Sequence, residues 1–197
     1  KGMLISAVED DAPVIIFEHR WLYNISGPVP AGLYRSSLGE AEVLRPGRDV
    51  TIAATSYMTI EALRAAERLS EIGIEAEVID LRTLTPIDMK TVGASLRKTG
   101  HLVVADTGYG AFGVGAEVVA RAAQTEFQSL KAAPRIVALP HVPTPTTPAL
   151  ADIFYPDATS IAEAALDSLG STRALPPDPA PRRRWKDTPD PSFTGPY

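Results

Sequence analysis

Three glycines show the spacing G-x-G-x-x-G in "DTGYGAFGVGAEVVARAA" (residues 106–123), at Gly108, Gly110 and Gly113. In a dinucleotide-binding fold such a turn places a pyrophosphate at the amino terminus of a helix, and an acidic residue ending the next strand binds the ribose. Here the next strand candidate, "RIVALPHV", ends in proline and histidine, and Gly115 indicates a longer turn. We therefore interpret the glycines as residues that let the backbone turn and the helix pack closely; a nucleotide-binding enzyme is kept as an alternative.

The three histidines, His19, His101 and His141, show no spacing that resembles a metal site. His101 opens a strand candidate directly after a glycine, which favours a structural role. His19 lies in a long connection and His141 in "LPHVPTPTTP", so either side chain could reach a cleft. The sequence contains no cysteine, which excludes thiolate metal ligands and a cysteine nucleophile.

Two polar pairs follow strand candidates. Ser56 and Tyr57 come after a strand end, where open α/β sheets place their ligands, but "TSYMT" lacks the glycines of a nucleophile elbow. Asp80 and Arg82, in "VIDLRTLTPID", are charged residues at a transition from strand to loop. We predict that Asp80 and Arg82 pair with each other or with a neighbouring subunit, in a structural role.

Composition narrows the classes of function. With 197 residues, 45% hydrophobic and 22% charged, the chain can bury the core of one α/β domain with attachments. The net charge of −5 gives no electrostatic reason to expect nucleic acid or an anionic membrane as partner. No apolar run approaches the roughly 20 residues that span a bilayer, and "KGMLISAVEDDAP" carries acids too early for a signal peptide. We expect a cytoplasmic protein.

The pattern of elements predicts the fold. A short helix, "KGMLISAVED", and a buried strand, "PVIIFE", are followed by a turn-rich connection. From residue 49, short β-branched runs alternate with amphipathic helical segments, which is typical of a mostly parallel sheet covered on both faces. The sequence therefore predicts a three-layer α/β domain. The strand candidates are "DVTIAAT", "AEVIDL", "HLVVAD" and "RIVAL"; the helix candidates are "MTIEALRAAERLSEIG", "DMKTVGASLRKTG", "GAEVVARAAQTEFQSL" and "SIAEAALDSLG".

The proline-rich end of the sequence, residues 170–197, lacks periodicity and is predicted to be extended. It is either a solvated tail or a docking arm. In the second case the anchors would be Arg182, Arg183, Arg184 and Trp185.

The order of three segments resembles the β subunit of thiamine diphosphate-dependent 2-oxoacid dehydrogenases, the E1 components that act on pyruvate, branched-chain 2-oxoacids or acetoin. The segments are "KGMLISAVEDDAPVIIFEHRWLY", "GEAEVLRPGRDVTIAATSYMTIEALRAAERLSEIGIEAEVIDLRTLTPID" and "GVGAEVVARA" followed by "VPTP". The resemblance covers residues 1–169 and implies a transketolase C-terminal fold. It divides the chain into the end of a pyrimidine-binding domain (1–18), a linker (19–45), the transketolase C-terminal-like domain (46–169) and the tail (170–197).

The resemblance also implies which parts of the full enzyme carry the catalytic and cofactor-binding residues. Members of the family use a glutamate and a histidine from the first half of the pyrimidine-binding domain, and an α subunit or α-like domain holds the diphosphate and magnesium through a Gly-Asp-Gly…Asn pattern. Neither feature matches this sequence, so we expect thiamine diphosphate and magnesium to be bound only in the full enzyme. The implied assembly is a heterotetramer with the α subunit and a second β chain.

Two further correspondences concern single sites. Some members bind a monovalent cation such as potassium through backbone carbonyls, which here would belong to Ala7, Asp10 and Ala12, with Ala12 in place of the usual asparagine. Docking to the lipoyl acyltransferase core, E2, often uses an acidic residue before Ala-Pro, where this chain has Lys131 in "SLKAAP". The reversed charge and the continuation past Gly170 put ordinary E2 docking in doubt.

We therefore expect the C-terminal part of an E1 β subunit, which supports subunit assembly and the cofactor cleft for oxidative decarboxylation of a 2-oxoacid, and which lacks catalytic residues by itself. The alternative from a different class is a free-standing interaction or regulatory module on the same fold. Such a module would stay folded and monodisperse without an α subunit.

Overall fold

A computed structural model describes residues 1–23 and 25–177 of the chain. The predicted anchors Arg182, Arg183, Arg184 and Trp185 lie outside the described residues. The regular elements of the described part are α1 (Gly2–Glu9), β1 (Glu42–Arg45), β2 (Val50–Ala54), α2 (Tyr57–Glu71), β3 (Ala76–Asp80), α3 (Met89–Thr99), β4 (Leu102–Tyr109), α4 (Val114–Thr125), β5 (Arg135–Leu139), α5 (Pro148–Phe154) and α6 (Ala158–Leu169), with 3₁₀ turns at Arg20–Leu22 and Phe127–Ser129.

One sheet of five strands, in the order β1-β3-β2-β4-β5, forms the centre of the molecule. The strands β2 to β5 run parallel, whereas β1 pairs antiparallel with β3 at one edge. All residues of β2 are buried, because this strand has neighbours on both sides and helices above and below. Its burial along the whole length is typical of a parallel strand covered on both faces.

Helices cover both faces of the sheet. On one face, α2 and α6 pack against side chains such as Ile52, Val78 and Val103. On the other, α3 and α4 pack against the alternate residues of the same strands, such as Ile79 and Val104. This alternation follows from the two-residue period of a strand, and it confirms the predicted three-layer, mostly parallel α/β fold.

Capping residues mark the ends of α3 and α6. The Asp88 carboxylate accepts a hydrogen bond from the Thr91 N–H at 3.0 Å at the start of α3. Gly100 and Gly170 end α3 and α6 in the left-handed conformation, which glycine adopts without strain from a Cβ. Within the described residues, no helix is both long and apolar enough to cross a membrane.

The structure differs from the prediction in three elements. The segment "PVIIFE" (residues 13–18) is not a strand, because no described strand lies beside it to complete a backbone ladder. Strand β1 lies within the predicted linker, where its glutamate and arginine obscured the pattern of an exposed edge strand. Helix α5 was also not predicted, because only two turns follow Pro148 in a proline-rich stretch.

Helix α1 packs against the connection that follows it. Gly2 lies under Tyr34, the Ser6 hydroxyl donates to the Ser36 carbonyl at 2.7 Å, and Arg35 pairs with Glu9. The helix is therefore held mainly by polar contacts with residues 34–36, and not by the sheet.

The glycines after β4 permit a close approach between backbone segments. A Cβ at Gly113 would overlap the Tyr109 carbonyl, and one at Gly115 would come within 2.8 Å of Ile136 on the neighbouring strand. At Gly113 and Gly115 the structure thus agrees with the interpretation of these glycines as residues of the turn and of the packing of α4.

We predict that Gly113→Ala lowers the free energy of unfolding by about 2 kcal/mol or more, because the added methyl group meets backbone that cannot move without breaking the turn. Gly110→Ala is the matched control, since its Cβ would lie at an ordinary 3.7 Å from Ala138. Urea denaturation of both variants checks the prediction. Equal stability of the two would contradict it.

Candidate functional site

The carboxyl ends of β2 and β4 define a switch point in the topology. After β2 the chain crosses to β3 on one side of it, whereas β4 lies on the other side. Open parallel sheets bind their ligands in the crevice that such a reversal creates. The Thr55 hydroxyl donates to the Asp106 carboxylate across this crevice at 2.8 Å, and both residues are buried.

Three aromatic rings form a wall beside this crevice. His19 stacks on Tyr57, with ring centroids 5.1 Å apart and an interplanar angle of 21°. Trp21 meets both rings edge-on, at 5.6 Å from His19 and 5.3 Å from Tyr57. The 3₁₀ turn that follows His19 thus packs the connection between α1 and β1 against the start of α2.

The surroundings of His19 favour its neutral form. Its Nδ1 accepts the backbone N–H of Trp21 at 3.3 Å, which makes His19 the cap of the 3₁₀ turn. Burial of the ring lowers the pKa of His19 below its usual value of 6.5. Because Nδ1 is an acceptor, the ring proton of the neutral form is assigned to Nε2.

A buried carboxylate holds the aromatic wall in place. Glu61 is only 4% exposed; its Oε1 accepts from the Tyr57 hydroxyl at 2.7 Å and from Arg64 at 2.8 Å. Its Oε2 accepts from the backbone N–H of Ala158 at 3.0 Å. Glu61 therefore links the ring of Tyr57 to the first residue of α6.

A cavity of about 440 Å³ lies between the aromatic wall and the end of the sheet. Apolar and aromatic groups, including Met58, Leu139 and Tyr155, contribute most of its surface, and Thr107 adds a hydroxyl at the end of β4. Glu18 and Asp157 are acidic residues of its lining, and Arg20 is basic. Asp157 also caps α6 through the Ser160 N–H.

The described residues do not fit thiamine diphosphate with its magnesium. Hard cations need several oxygen ligands, and among the described residues no cluster of three or more His, Cys, Asp or Glu side chains could hold a metal ion. Glu18 and Asp157 in the cavity would oppose the charge of a diphosphate. We therefore assign no catalytic step to these residues.

Asp80 and Arg82 form a structural cluster with β1. The Asp80 carboxylate accepts the Arg82 backbone N–H at 3.2 Å, while the Arg82 guanidinium pairs with Glu42 at 2.8 Å. Burial raises the pKa of Asp80, although the backbone N–H and the charge of Arg82 oppose the shift. Their predicted place at a subunit interface remains a prediction.

Lys131 and the other histidines also have structural partners. The Lys131 ammonium donates to the Thr99 carbonyl at 3.2 Å, near the carboxyl end of α3, where a cation is favourable. His101 lies within 3.2 Å of the Ser168 hydroxyl, in agreement with its predicted structural role. The ring of His141 contacts Tyr109 at 5.3 Å.

The predicted cation ligands lie where α1 ends. Ala7 is in the last turn, Asp10 follows the helix, and the Ala12 N–H donates to the Asp10 carboxylate at 2.8 Å. Asp10 and Ala12 are exposed, and the cation site at these carbonyls remains a prediction.

Sequence reasoning found part of this site. It allowed His19 to reach a cleft and placed Tyr57 after a strand end, but it missed Trp21 and Glu61. The spacing of Tyr57 and Glu61, four residues apart on one face of a helix, was the available signal.

Comparison with known proteins identifies the family of this chain. Residues 39–161 match the family model "Transketolase, C-terminal domain", and the chain belongs to that family. A solved structure described as "Split gene transketolase, inactive beta4 tetramer" is 33% identical with a TM-score of 0.62, over 71% of this chain and 45% of the other.

The similar sequences are β subunits. The chain is 46% identical to the acetoin:2,6-dichlorophenolindophenol oxidoreductase subunit beta of Cupriavidus necator, over 86% of this chain and 50% of the relative. It is 40% identical to the mitochondrial pyruvate dehydrogenase E1 component subunit beta of Pisum sativum, over 84% of this chain and 47% of the relative. The chain thus spans about half the length of these relatives and corresponds to their C-terminal part.

We predict that the protein loses stability as the pH falls from 7 to 5.5, in part through His19. The unfolded state binds a proton near pH 6.5 and the folded state only at lower pH, so the stabilisation is complete above 6.5 and is lost below it. His19→Asn keeps a capping acceptor without titrating.

Urea denaturation at several pH values should therefore give a smaller slope of stability against pH for His19→Asn. The variant His19→Asn/His101→Asn should be flatter still, because burial also lowers the pKa of His101. An unchanged slope in both variants would contradict this account.

Proposed function

We propose that this chain is the C-terminal part of the β subunit of a thiamine diphosphate-dependent 2-oxoacid dehydrogenase, acting in subunit assembly and in support of the cofactor cleft. The observation that carries the proposal is the 46% identity with an acetoin oxidoreductase β subunit over 169 residues. This match extends beyond residues 39–161 of the domain. It therefore includes residues that are not needed to form the domain fold.

The exposed segment 14–17 supports a role in assembly. Its side chains alternate in exposure: Ile15 and Phe17 are 78% and 84% exposed, whereas Val14 and Ile16 are about half as exposed. This alternation is the period of an extended strand. Placing these apolar side chains against another domain would remove them from water, which is the main favourable contribution to such packing.

The cofactor belongs to the rest of the enzyme under this proposal. The described residues offer no cluster for a hard cation, so thiamine diphosphate and magnesium would be held by an α subunit or α-like domain together with the remainder of the β subunit. The proposed assembly is a heterotetramer with a second β chain, in the cytoplasm. A related chain forms a β4 tetramer, which supports contact between β chains.

Two finer assignments complete the proposal. Carbonyls of Ala7, Asp10 and Ala12 would bind potassium once the neighbouring domain orders this turn. Asp80, Arg82 and Lys131 would lie near subunit contacts, and the positive charge of Lys131 would weaken docking to a lipoyl acyltransferase core that presents a basic surface.

A chimeric β subunit tests the proposal. This chain replaces the C-terminal half of the Cupriavidus necator acetoin oxidoreductase β subunit, and the chimera is expressed with the α subunit of that enzyme. We expect an assembled complex that reduces 2,6-dichlorophenolindophenol with acetoin. A folded chimera that stays separate from the α subunit in native mass spectrometry would overturn the proposal, as would stoichiometric binding of thiamine diphosphate and magnesium by this chain alone.

The role of segment 14–17 has its own test in the chimera. Ile15→Asp should reduce the assembled fraction at least tenfold, because a carboxylate would be buried against the neighbouring domain. Ile153→Asp is the matched control, since Ile153 is 83% exposed on α5, and it should leave assembly unchanged. Equal effects of the two substitutions would show that segment 14–17 has no special role.

A further inference from the structure

The chain stays in contact with the domain after α6 ends. Gly170 ends α6 in the left-handed conformation, and the Ser171 N–H donates to the Leu166 carbonyl at 2.9 Å. This hydrogen bond turns the backbone at the end of the helix. Beyond the turn, residues 171–177 lie against α2 and against the backbone that follows α2.

We propose that residues 171–177 form a strap that fastens α6 to α2 and is an integral part of the domain. The sequence left two alternatives for residues 170–197, a solvated tail or a docking arm. The strap assigns the first part of that region to the fold, although it lies beyond residues 39–161 that match the family model. This inference does not depend on the assembly of the chain into a larger enzyme.

A buried arginine joins the strap to both helices. Arg68, in α2, is only 6% exposed. Its guanidinium donates to the Thr159 hydroxyl of α6 at 2.8 Å and to the Pro176 carbonyl of the strap at 2.9 Å. Its Nε–H has no hydrogen-bond partner among the described residues. The Pro176 carbonyl is therefore one of two acceptors that the described residues offer to this buried charge, and its loss would be costly.

A second arginine holds the strap near the end of α2. The Arg173 guanidinium donates to the Ile72 carbonyl at 2.6 Å and to the Gly73 carbonyl at 3.4 Å. A cation is favourable there, because the carboxyl end of a helix carries a partial negative charge. Since Pro176 reaches Arg68, one turn before Ile72, the strap runs back along α2 from the end of that helix.

Leu175 supplies the apolar contact of the strap. Its side chain is partly buried and packs against the core between the sheet and the helices α2 and α6. The two prolines that follow, Pro176 and Pro177, fix their own φ angles and disfavour a helical conformation in the residue before each of them. The strap is therefore restricted to extended conformations before it packs, which lowers the conformational entropy that it loses.

Tryptic cleavage after Arg173, followed by mass spectrometry, tests the inference on the full chain. A protease cuts a packed segment when it opens locally, so the rate reports how often the strap detaches. A synthetic peptide of residues 168–177 gives the rate for a free segment. We expect cleavage in the chain to be at least about tenfold slower than in the peptide. Equal rates, for a chain shown to be folded by circular dichroism, would overturn the proposal.

Substitutions identify the contact that holds the strap. Leu175→Asp should remove most of this protection, measured against a peptide with the same substitution, because it places a carboxylate in the apolar contact. Leu33→Asp is the matched control: Leu33 is 69% exposed, and its substitution should leave the protection of Arg173 unchanged. Cleavage after Arg97, in α3, should stay slow in both variants and shows that the domain remains folded.

Two results with these variants would contradict the strap. One is unchanged protection of Arg173 in Leu175→Asp, and the other is an equal loss of protection in Leu33→Asp. The comparison of the unsubstituted chain with its peptide needs no variant, so it decides the proposal even if a substituted chain fails to fold.

Discussion

The burial of β2 between two neighbouring strands and two helical layers is the constraint on which the other elements depend. Because β2 pairs in parallel with both β3 and β4, each crossing of the chain must carry a helix over one face, and the two crossings must go in opposite directions. α2 and α3 therefore lie on opposite faces. The crevice at the carboxyl ends of β2 and β4 is a direct result of this arrangement.

Most of the domain follows from local sequence. The sequence segments that form β2 to β5 are short and rich in β-branched residues, and the helices between them have clear periodicity and capping residues. For these elements the local conformational preference agrees with the tertiary packing. The elements that were missed are those in which the two disagree. Strand β1 is an exposed edge with charged residues, and segment 13–18 has the composition of a strand without a described partner to pair with.

The cavity was less predictable, because its residues are distant in sequence. Spacing can suggest a pair on one helix, as with Tyr57 and Glu61, but it cannot bring Trp21 beside residues at the ends of β4 and β5. The glycine segment illustrates the opposite problem: its spacing matches a phosphate-binding turn, whereas its backbone packs too tightly for one. A glycine motif indicates the backbone conformation of a turn, and it does not by itself indicate a ligand.

Glu61 also has a consequence for how the molecule comes apart. Its carboxylate joins α2, the ring that supports the connection and an amide of α6, 97 residues further along the chain. Segments so joined are expected to gain and lose their order together, which would place the turn at Arg20–Leu22 in the same cooperative unit as the sheet. The order of this connection should therefore report on the integrity of the whole domain.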